Sequence, residues 1–354
     1  MNISFIIPAY NAESFIVKCV ESILNLNIND FEIIVVDDGS TDHTAAEVKK
    51  HMLKWNRSQQ KVTFLQQHNA GVSVARNHAL THASKEWITF VDADDLILPQ
   101  FCEVCKLIDS QACDTDVFVF DLYPSSIRDV SSIYCPHSIF HTEVYDSNDR
   151  LLLMENTLGF VNSSRKLNFR FPNSLGKIYN KRRIIDPFSL RFPIGVKNGE
   201  DLLFNLQVWE HAGKVVACHF PVYLYYTNMN SLTHRYKPDM DEITRLFFNN
   251  LLPIVKRHPS LWPQYHSSKI NNFFIECNQF LFHPKNTSNI KQKYISFTTV
   301  LNGYYHESFH YNNNIQIPQK RLEYLIFLLI RKRIYHIAFT IFYMKFVIKR
   351  IISK

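Results

Sequence analysis

The stretch VVDDGSTD, residues 35–42, is an apolar run that passes directly into an acidic turn. A β-branched run followed by aspartate, glycine and serine is typical of a buried strand and the tight loop after it. A second acidic turn, FVDADD at residues 90–95, also follows an apolar run. In an open parallel sheet, ligands bind beyond the carboxyl ends of the strands, so both turns are predicted to face one crevice.

On either side of these turns, short β-branched or aromatic runs alternate with stretches of helical periodicity, which predicts an α/β fold with a mostly parallel sheet covered on both faces. The predicted strands of this region are Ile3–Pro8, Glu32–Val36, Val62–Leu65, Trp87–Val91 and Val117–Phe120. The predicted helices are Glu13–Leu26, Thr44–Trp55 and Val72–Ala83.

The pattern changes further along the chain. Residues 122–175 have no clear periodicity, as is typical of substrate loops. Asp201–His211 is predicted to be a helix and Val215–Tyr226 one or two strands, and from about residue 241 the periodicity is helical as far as Ile352. We therefore divide the chain into a domain at 1–235, with halves of about 1–120 and 121–235, and a helical C-terminal region at 236–354.

Length and composition exclude several classes of protein. The 354 residues, 46% hydrophobic and 20% charged, suffice for two packed domains and exclude a disordered chain. The seven cysteines are odd in number and irregular in spacing, which favours free thiols in a reducing cytosol. No HExxH, GxSxG, Walker or GxGxxG string is present, so hydrolase, P-loop and dinucleotide-binding functions lack support.

The positive charge is concentrated in the last 35 residues. Residues 320–354 contain nine lysines or arginines and one glutamate, a local net charge of +8 within a total of +7. The rest of the chain is therefore nearly neutral, which argues against a nucleic-acid partner. The longest uncharged run of this tail, Ile334–Met344, is too short to cross a bilayer. An amphipathic helix on anionic lipid is predicted, and the alternative is a helix packed on the protein with a solvated basic face.

The second acidic turn suits a divalent metal. Asp92 and Asp94 point the same way along an extended segment, and their hard oxygens suit Mg²⁺ or Mn²⁺ with positions open for phosphate. Arg76 lies on a predicted helix after the turn at 69–71 and could neutralise a diphosphate, or it could be a surface charge. The turn at 37–42 could instead be a loop in which Thr41 or Asp42 caps a helix.

Together these strings resemble the inverting glycosyltransferases of family 2, whose nucleotide-sugar-binding fold is called GT-A. The resemblance covers roughly residues 1–235. It runs through PAYNAE (8–13), VVDDGSTD (35–42), NAGVSVARN (69–77), FVDADD (90–95), more weakly LGKIY (175–179), and GEDLLF (199–204). It implies a GT-A domain with a mostly parallel central sheet, followed by the helical region.

The resemblance also implies roles for individual residues. Asp201 is implied to be the general base that deprotonates the acceptor hydroxyl, with Glu200 orienting the acceptor, although both carboxylates also suit a helix N-terminus. Asp94 is implied to bind Mn²⁺ or Mg²⁺. The residues implied to contact the donor are Pro8, Tyr10, Asn11, Glu13, Asp38, Asn69, Gly71, Arg76, Asp92 and Ala93.

Two departures from the family pattern affect the acceptor and diphosphate sites. Leu175 and Gly176 precede Lys177 where relatives often have an aromatic and a small residue, so the acceptor contacts stay open. Thr227 stands where many relatives have an arginine. The diphosphate could then be contacted by His234 or by Arg235, and His234 could also bind the metal.

The sequence thus predicts an inverting glycosyltransferase that moves a sugar from a UDP-sugar to a hydroxyl of a glycan or lipid-linked glycan. The resemblance and the basic tail suggest lipopolysaccharide or capsule synthesis on the cytoplasmic face of the inner membrane. Two alternatives remain open. One is a sugar nucleotidyltransferase, which would normally have a glycine-rich loop after its first strand, and the other is a binding or scaffold protein without turnover.

Overall fold

A computed structural model describes residues 1–56, 61–111, 114–127, 142–159, 176–227 and 236–352. They form two compact units, the first within residues 1–228 and the second mainly within 229–354. The predicted boundary at residue 235 lies outside the described residues.

The first unit contains nine strands and six α-helices among its described residues. The strands are β1 (Asn2–Ala9), β2 (Asp30–Asp37), β3 (Lys61–Gln66), β4 (Trp87–Phe90), β5 (Leu96–Ile97), β6 (Val117–Ser125), β7 (Thr142–Asp146), β8 (Lys177–Asn180) and β9 (Lys214–Tyr226). The helices are α1 (Ile16–Leu24), α2 (Thr44–Trp55), α3 (Val72–His82), α4 (Phe101–Gln111), α5 (Arg150–Thr157) and α6 (Glu200–His211).

All nine strands belong to one sheet with the order β3-β2-β1-β4-β8-β6-β9-β5, and β7 pairs with β9. The first four strands are parallel, because a helix connects each of them to the next and returns the chain to the same edge of the sheet. Their near-continuous apolar sequence is explained by burial on both faces, as in β1, where every residue from Ile3 to Ala9 is buried. The predicted α/β class and the parallel first half are confirmed.

The later strands make the sheet mixed. β8 is antiparallel to both β4 and β6, whereas β6 and β9 are parallel. The two-residue strand β5 and the strand β7 both pair antiparallel with β9. The region 122–175, which the sequence left unassigned, contains β7, a 3₁₀-helical turn at Ser147–Asp149 and α5.

The second unit is helical, as predicted, and its described helices surround a core rich in phenylalanine. They are α7 (Met240–Arg257), α8 (Trp262–Glu276), α9 (Ile290–Asn302), α10 (His306–His310), α11 (Arg321–Arg331) and α12 (Tyr335–Ile352), and a π-helical turn at Cys277–Leu281 continues α8. Phe273, Phe297 and Phe342 are fully buried in this core.

The basic tail is two helices rather than one continuous helix. α11 ends at Arg331, and Arg333 adopts a left-handed conformation with φ of 59°. The Ile334 amide donates to the Leu329 carbonyl and the Arg333 amide to the Ile330 carbonyl, which is the Schellman pattern that ends a helix. Periodicity alone misses this break, since arginine is an uncommon residue at a left-handed position.

The tail divides its apolar residues between the core and solvent. Phe327, Ile330, Phe339 and Phe342 are buried in the core of the second unit. Other apolar residues of the tail are exposed, among them Ile337, Met344 and Ile348. Among the residues described, no helix combines the length and the apolar character needed to cross a bilayer.

Candidate active site

The site lies where the strand order reverses. β1 is flanked by β2 on one side and β4 on the other, so the loops after these three strands begin at the same edge of the sheet. Such a switch point leaves a crevice at the carboxyl ends of the strands. The two acidic turns and the segment after β1 lie at this edge, as predicted.

The loop after β1 is fastened to the loop after β2 by hydrogen bonds between side chains and backbone. The Asn11 Oδ1 accepts from the Thr41 amide at 2.8 Å, and the Ser40 Oγ accepts from the Asn11 amide at 2.9 Å. The Glu13 carboxylate accepts from the His43 amide, while Asp42 accepts from the Glu13 amide. Asn11 tolerates its positive φ of 50° because its short polar side chain bonds locally.

Asp38 holds the turn that precedes α3. Its carboxylate is buried and accepts from the Ala70 amide at 2.9 Å, the Gly71 amide at 2.8 Å and the Gln67 side chain at 2.8 Å. The neighbouring Gly39 has a positive φ of 69°, and a Cβ there would lie 2.7 Å from the Asn69 amide nitrogen. Glycine is therefore required at 39, and Asp38 fixes the turn at 69–71.

In the loop after β4, one of the three carboxylates, that of Asp95, is hydrogen-bonded to strand β9. Asp95 is 1% exposed, and its carboxylate accepts from the Tyr223 hydroxyl at 2.7 Å and the Tyr226 amide at 2.8 Å. The same Tyr223 oxygen accepts from the Asp92 amide at 3.0 Å. β9 thus fixes both ends of the loop, while Asp94 is exposed and the Asp92 side chain is one-third exposed.

Arg76 joins the two sides of the site. Its side chain is only 4% exposed, and its guanidinium donates to Asp92 at 2.9 Å and to Glu200 at 3.0 Å. Burial alone would lower the pKa of Arg76, but Asp92 and then Glu200 hold that pKa above its usual value. A buried cation with two carboxylate partners fixes the distance between the loop after β4 and the start of α6.

A second residue of the same helix holds the segment before α6. The Asn77 amide group donates to the Phe192 carbonyl at 2.8 Å and accepts from the Phe192 amide at 2.9 Å. The Phe192 ring lies 5.0 Å from the Arg76 guanidinium and stacks on Phe204 at 4.1 Å. α3 therefore positions the segment that leads into Glu200 and Asp201.

Asp201 is the second residue of α6. The helix begins directly after Gly199, whose φ is positive at 83°. Burial raises the pKa of Asp201 to about 6, Glu200 adds to the rise, and Arg76 opposes it. Lys177 is 3% exposed, and burial lowers its pKa to about 7, an effect that Asp201 opposes. A carboxylate with a pKa just below neutral is suited to accept a proton at neutral pH.

The donor set after β4 fits a hard divalent cation. Asp95 is engaged by Tyr223 and Tyr226 and one oxygen of Asp92 by Arg76, whereas Asp94 in the same loop is exposed. Two carboxylates complete an octahedral site only together with phosphate oxygens and water. Among the described residues, no group of three or more histidine, cysteine, aspartate or glutamate side chains is placed to hold a metal ion.

The structure brings most of the predicted site residues to this edge of the sheet. Pro8 and Ala93 are buried, Tyr10 is 51% exposed, and Asn69 and Gly71 lie at the exposed turn before α3. Their donor contacts stay predictions. Arg76 lies between carboxylates, a partnership that the sequence did not indicate. His234 lies outside the described residues, so its predicted metal contact stays a prediction.

Sequence reasoning missed Tyr223, Asp95 and Asn77 as positioning residues. Asn77 is the last residue of the NAGVSVARN motif, but nothing in the sequence indicated that it hydrogen-bonds to the backbone of Phe192. The carboxylates of 92–95 look alike in sequence, and only the position of β9 shows which of them is structural.

The chain is similar to known glycosyltransferases in sequence and in fold. A family model described as Glycosyl transferase family 2 matches residues 4–166. The chain is 32% identical over 236 residues to the glycosyltransferase GlyA of Streptococcus pneumoniae serotype 4, an alignment that covers 65% of this chain and 31% of GlyA. The matched part thus spans less than a third of that relative's length.

Two solved structures resemble the whole chain. Residues 1–349 of S. aureus TarS match with a TM-score of 0.58 and 20% identity, covering 96% of this chain and 90% of that one. The same TarS segment has been solved in complex with UDP-GlcNAc. The mannosyltransferase PcManGT of Pyrobaculum calidifontis, in complex with GDP-Man and Mn²⁺, matches with a TM-score of 0.51 and 12% identity, covering 97% and 87%.

Proposed function

Through residues 4–166 this chain belongs to glycosyl transferase family 2, and we propose that it transfers a sugar from a UDP-sugar to a hydroxyl of a glycan acceptor. The GT-A fold predicted from the motifs is confirmed by the structural likenesses. The choice of UDP is supported by the complex of the TarS segment with UDP-GlcNAc. The transfer itself is supported by the residues of this chain.

One observation carries the proposal: the buried Arg76 binds Asp92 on the donor side and Glu200 beside Asp201 on the acceptor side. A group-transfer enzyme must hold its leaving-group site and its base at a fixed separation, because misplacement by an ångström lowers the rate strongly. A buried charged network provides that rigidity.

In the proposed reaction, the acceptor hydroxyl oxygen attacks the anomeric carbon from the face opposite the diphosphate. The bond between that carbon and the diphosphate oxygen breaks, and the nucleoside diphosphate leaves with the electron pair. The Asp201 carboxylate takes the hydroxyl proton as the new bond forms, and the anomeric configuration is inverted. The raised pKa of about 6 leaves Asp201 ionised at neutral pH yet basic enough to act.

The other residues of the site bind and orient. Asp92 and Asp94 would hold Mn²⁺ or Mg²⁺, which when bound neutralises charge on the diphosphate. Glu200, fixed by Arg76, keeps Asp201 in place and raises its pKa. The loops after β1 and β2, fastened to each other, would form the wall that receives the nucleotide.

The test is nucleotide release from a panel of UDP-sugars and GDP-mannose, with Mn²⁺ or Mg²⁺ and with EDTA in place of the metal. We expect slow release from one UDP-sugar, abolished by EDTA. Release from GDP-mannose alone would overturn the choice of nucleotide. Tight UDP binding without release from any donor, in the presence of a range of glycan acceptors, would favour the scaffold alternative.

We also propose that the exposed side of the tail contacts an anionic membrane surface and brings the enzyme to a lipid-linked acceptor. Ile337, Met344 and Ile348 are exposed and recur at helical spacing on α12, in a segment of net charge +8. A setting in lipopolysaccharide or capsule synthesis stays a prediction, since no motif specifies the acceptor.

The membrane proposal cannot be tested by deleting the tail, because deletion would remove Phe327 and Phe342 from the core. Substituting Ile337, Met344 and Ile348 together by glutamate leaves that core intact. We expect this triple variant to lose cosedimentation with vesicles that contain phosphatidylglycerol, while nucleotide release from the free donor is unchanged. Undiminished vesicle binding of the folded triple variant would contradict the proposal.

A further inference from the structure

The helical unit contains a pocket of about 410 Å³ that the catalytic proposal does not use. It is bounded by α7, by the end of α8 with its π-helical turn, and by α9. This volume falls in the usual range for sites that bind small molecules. Its lining includes Asp241, Arg245, Glu276, Phe280, Ser296 and Thr299.

Glu276 is the unusual residue of this pocket. It is 5% exposed, and its carboxylate accepts a hydrogen bond from the Tyr305 hydroxyl at 2.7 Å. Burial raises the pKa of Glu276 to about 7. The π-helical turn Cys277–Leu281 begins at the next residue, and such turns are found frequently at functional sites.

Charge excludes an anionic ligand. The Arg245 Nε donates to both oxygens of Asp241 at 2.9 Å, and the guanidinium lies 4.5 Å from the centre of the Tyr304 ring. Arg245 is thus already paired, and Glu276 adds a second acidic group to the pocket wall. A nucleotide or phosphate would meet repulsion from the carboxylates without an unpaired cation in the lining.

A purely apolar ligand is also disfavoured. Tyr305 already donates to one Glu276 oxygen, and an apolar ligand would cover the other oxygen without offering it a donor, at a cost of about 1–3 kcal/mol. The ligand must therefore bring hydrogen-bond donors. The half-buried Phe280 and the exposed Ile295 offer an apolar wall, and the Ser296 and Thr299 hydroxyls can both donate and accept.

We propose that this pocket binds a sugar residue, that is, a neutral ring with several hydroxyls and one apolar face. The choice of a sugar rests on the proposed function, in which the acceptor is a glycan longer than the unit that reacts. A second saccharide site on the chain would hold the acceptor between transfers and raise its effective concentration at the active site.

The experiment is saturation-transfer NMR on the full chain with the methyl glycosides of glucose, galactose and N-acetylglucosamine as probes. We expect binding with a dissociation constant of about 1 mM for one of them. Ser296→Trp fills the pocket from its exposed rim and should weaken binding at least tenfold. Lys291→Trp, on the same helix but outside the pocket, is the matched control and should bind as wild type does.

Glu276→Gln removes the acidic group and keeps a side chain of the same shape. We expect it to weaken sugar binding while Tyr305 keeps an acceptor. Equal binding by wild type and Ser296→Trp, or binding of choline in place of every glycoside, would overturn the proposal. Nucleotide release, measured on the same preparations, distinguishes the two proposals. Nucleotide release without sugar binding in the pocket would contradict only the sugar site. Sugar binding without nucleotide release would contradict only the transferase function.

Discussion

The two acidic turns of the first unit look alike in sequence but use their carboxylates differently. In the turn after β2, Asp38 and Asp42 are engaged with backbone amides of the neighbouring loops. In the turn after β4, only Asp95 is buried by such contacts, and Asp94 is exposed at the crevice. The first turn therefore builds the site, and the second supplies groups that can act on a ligand.

The same contrast separates Asp201 from the structural carboxylates. Asp38 is stabilised by three donors, whereas Asp201 is half-buried beside Glu200 with its pKa raised. The fold thus disfavours the ionised form of the Asp201 carboxyl group. Ionisable groups that destabilise the folded protein in this way are typical of catalytic positions.

The largest effect is expected for Asp201→Asn. The amide cannot accept the acceptor proton, so turnover should fall by about 10³-fold, within the range for removal of a general base. Donor affinity should stay near the wild-type value, measured by calorimetry with the unreactive product UDP.

The stability of this variant is a second readout. Because the folded-state pKa of Asp201 is raised, its ionisation destabilises the fold fully above about pH 6. Asparagine lacks that charge, so the free energy of unfolding at pH 7 should not decrease. A decrease together with normal turnover would make Asp201 a structural residue like Asp38.

Asp38→Ala should show the opposite behaviour. It removes the acceptor of three hydrogen bonds and leaves the Ala70 and Gly71 amides without their partner, at a cost of about 3 kcal/mol in unfolding free energy. Urea denaturation measures this loss. A variant as stable as wild type but inactive would place Asp38 in direct contact with the donor instead.

The third effect is on the pH dependence of turnover. Protonation of Asp201 removes the base, so kcat/KM should fall about tenfold per pH unit below about pH 6 and level off above it. The profile should be recorded with saturating metal, so that loss of metal from Asp92 and Asp94 does not imitate it. A flat profile between pH 5 and 7 would exclude Asp201 as the titrating base.

The smallest effect is expected for Asn77→Ala, which breaks the two hydrogen bonds to Phe192. We expect about 1–2 kcal/mol less stability and a lower kcat, since the segment before Glu200 loses its attachment to α3. Asn77→Asp is the control that keeps one acceptor for the Phe192 amide and should be intermediate. Equal kcat in all three proteins would show that this attachment has no part in catalysis.

The first half of the fold was predictable because its strands and helices are local and strongly periodic. Apolar runs such as residues 33–36 predicted the four parallel strands. The acidic turns that follow two of these runs predicted the crevice at the carboxyl ends of the strands. The second half was less predictable, because β8, β6 and β9 pair across long sequence separations that no local pattern records.

The site shows the same division. The motifs indicated the carboxylates and Arg76, but the partner of each was set by the tertiary fold, as Asp95 with Tyr223 illustrates. The tail is a further case: its amphipathic pattern was correct, yet Phe339 and Phe342 are buried in the helical core rather than available to lipid.

The most direct test of the contrast between the two turns is Asp94→Asn, with both turnover and unfolding measured on one preparation. Since Asp94 is exposed, we expect the free energy of unfolding to stay within about 0.5 kcal/mol of wild type. Turnover should fall by about 10²-fold or more, because the proposed metal loses a charged ligand. Normal turnover combined with a clear loss of stability would place Asp94 with Asp38 among the structural residues and contradict the account.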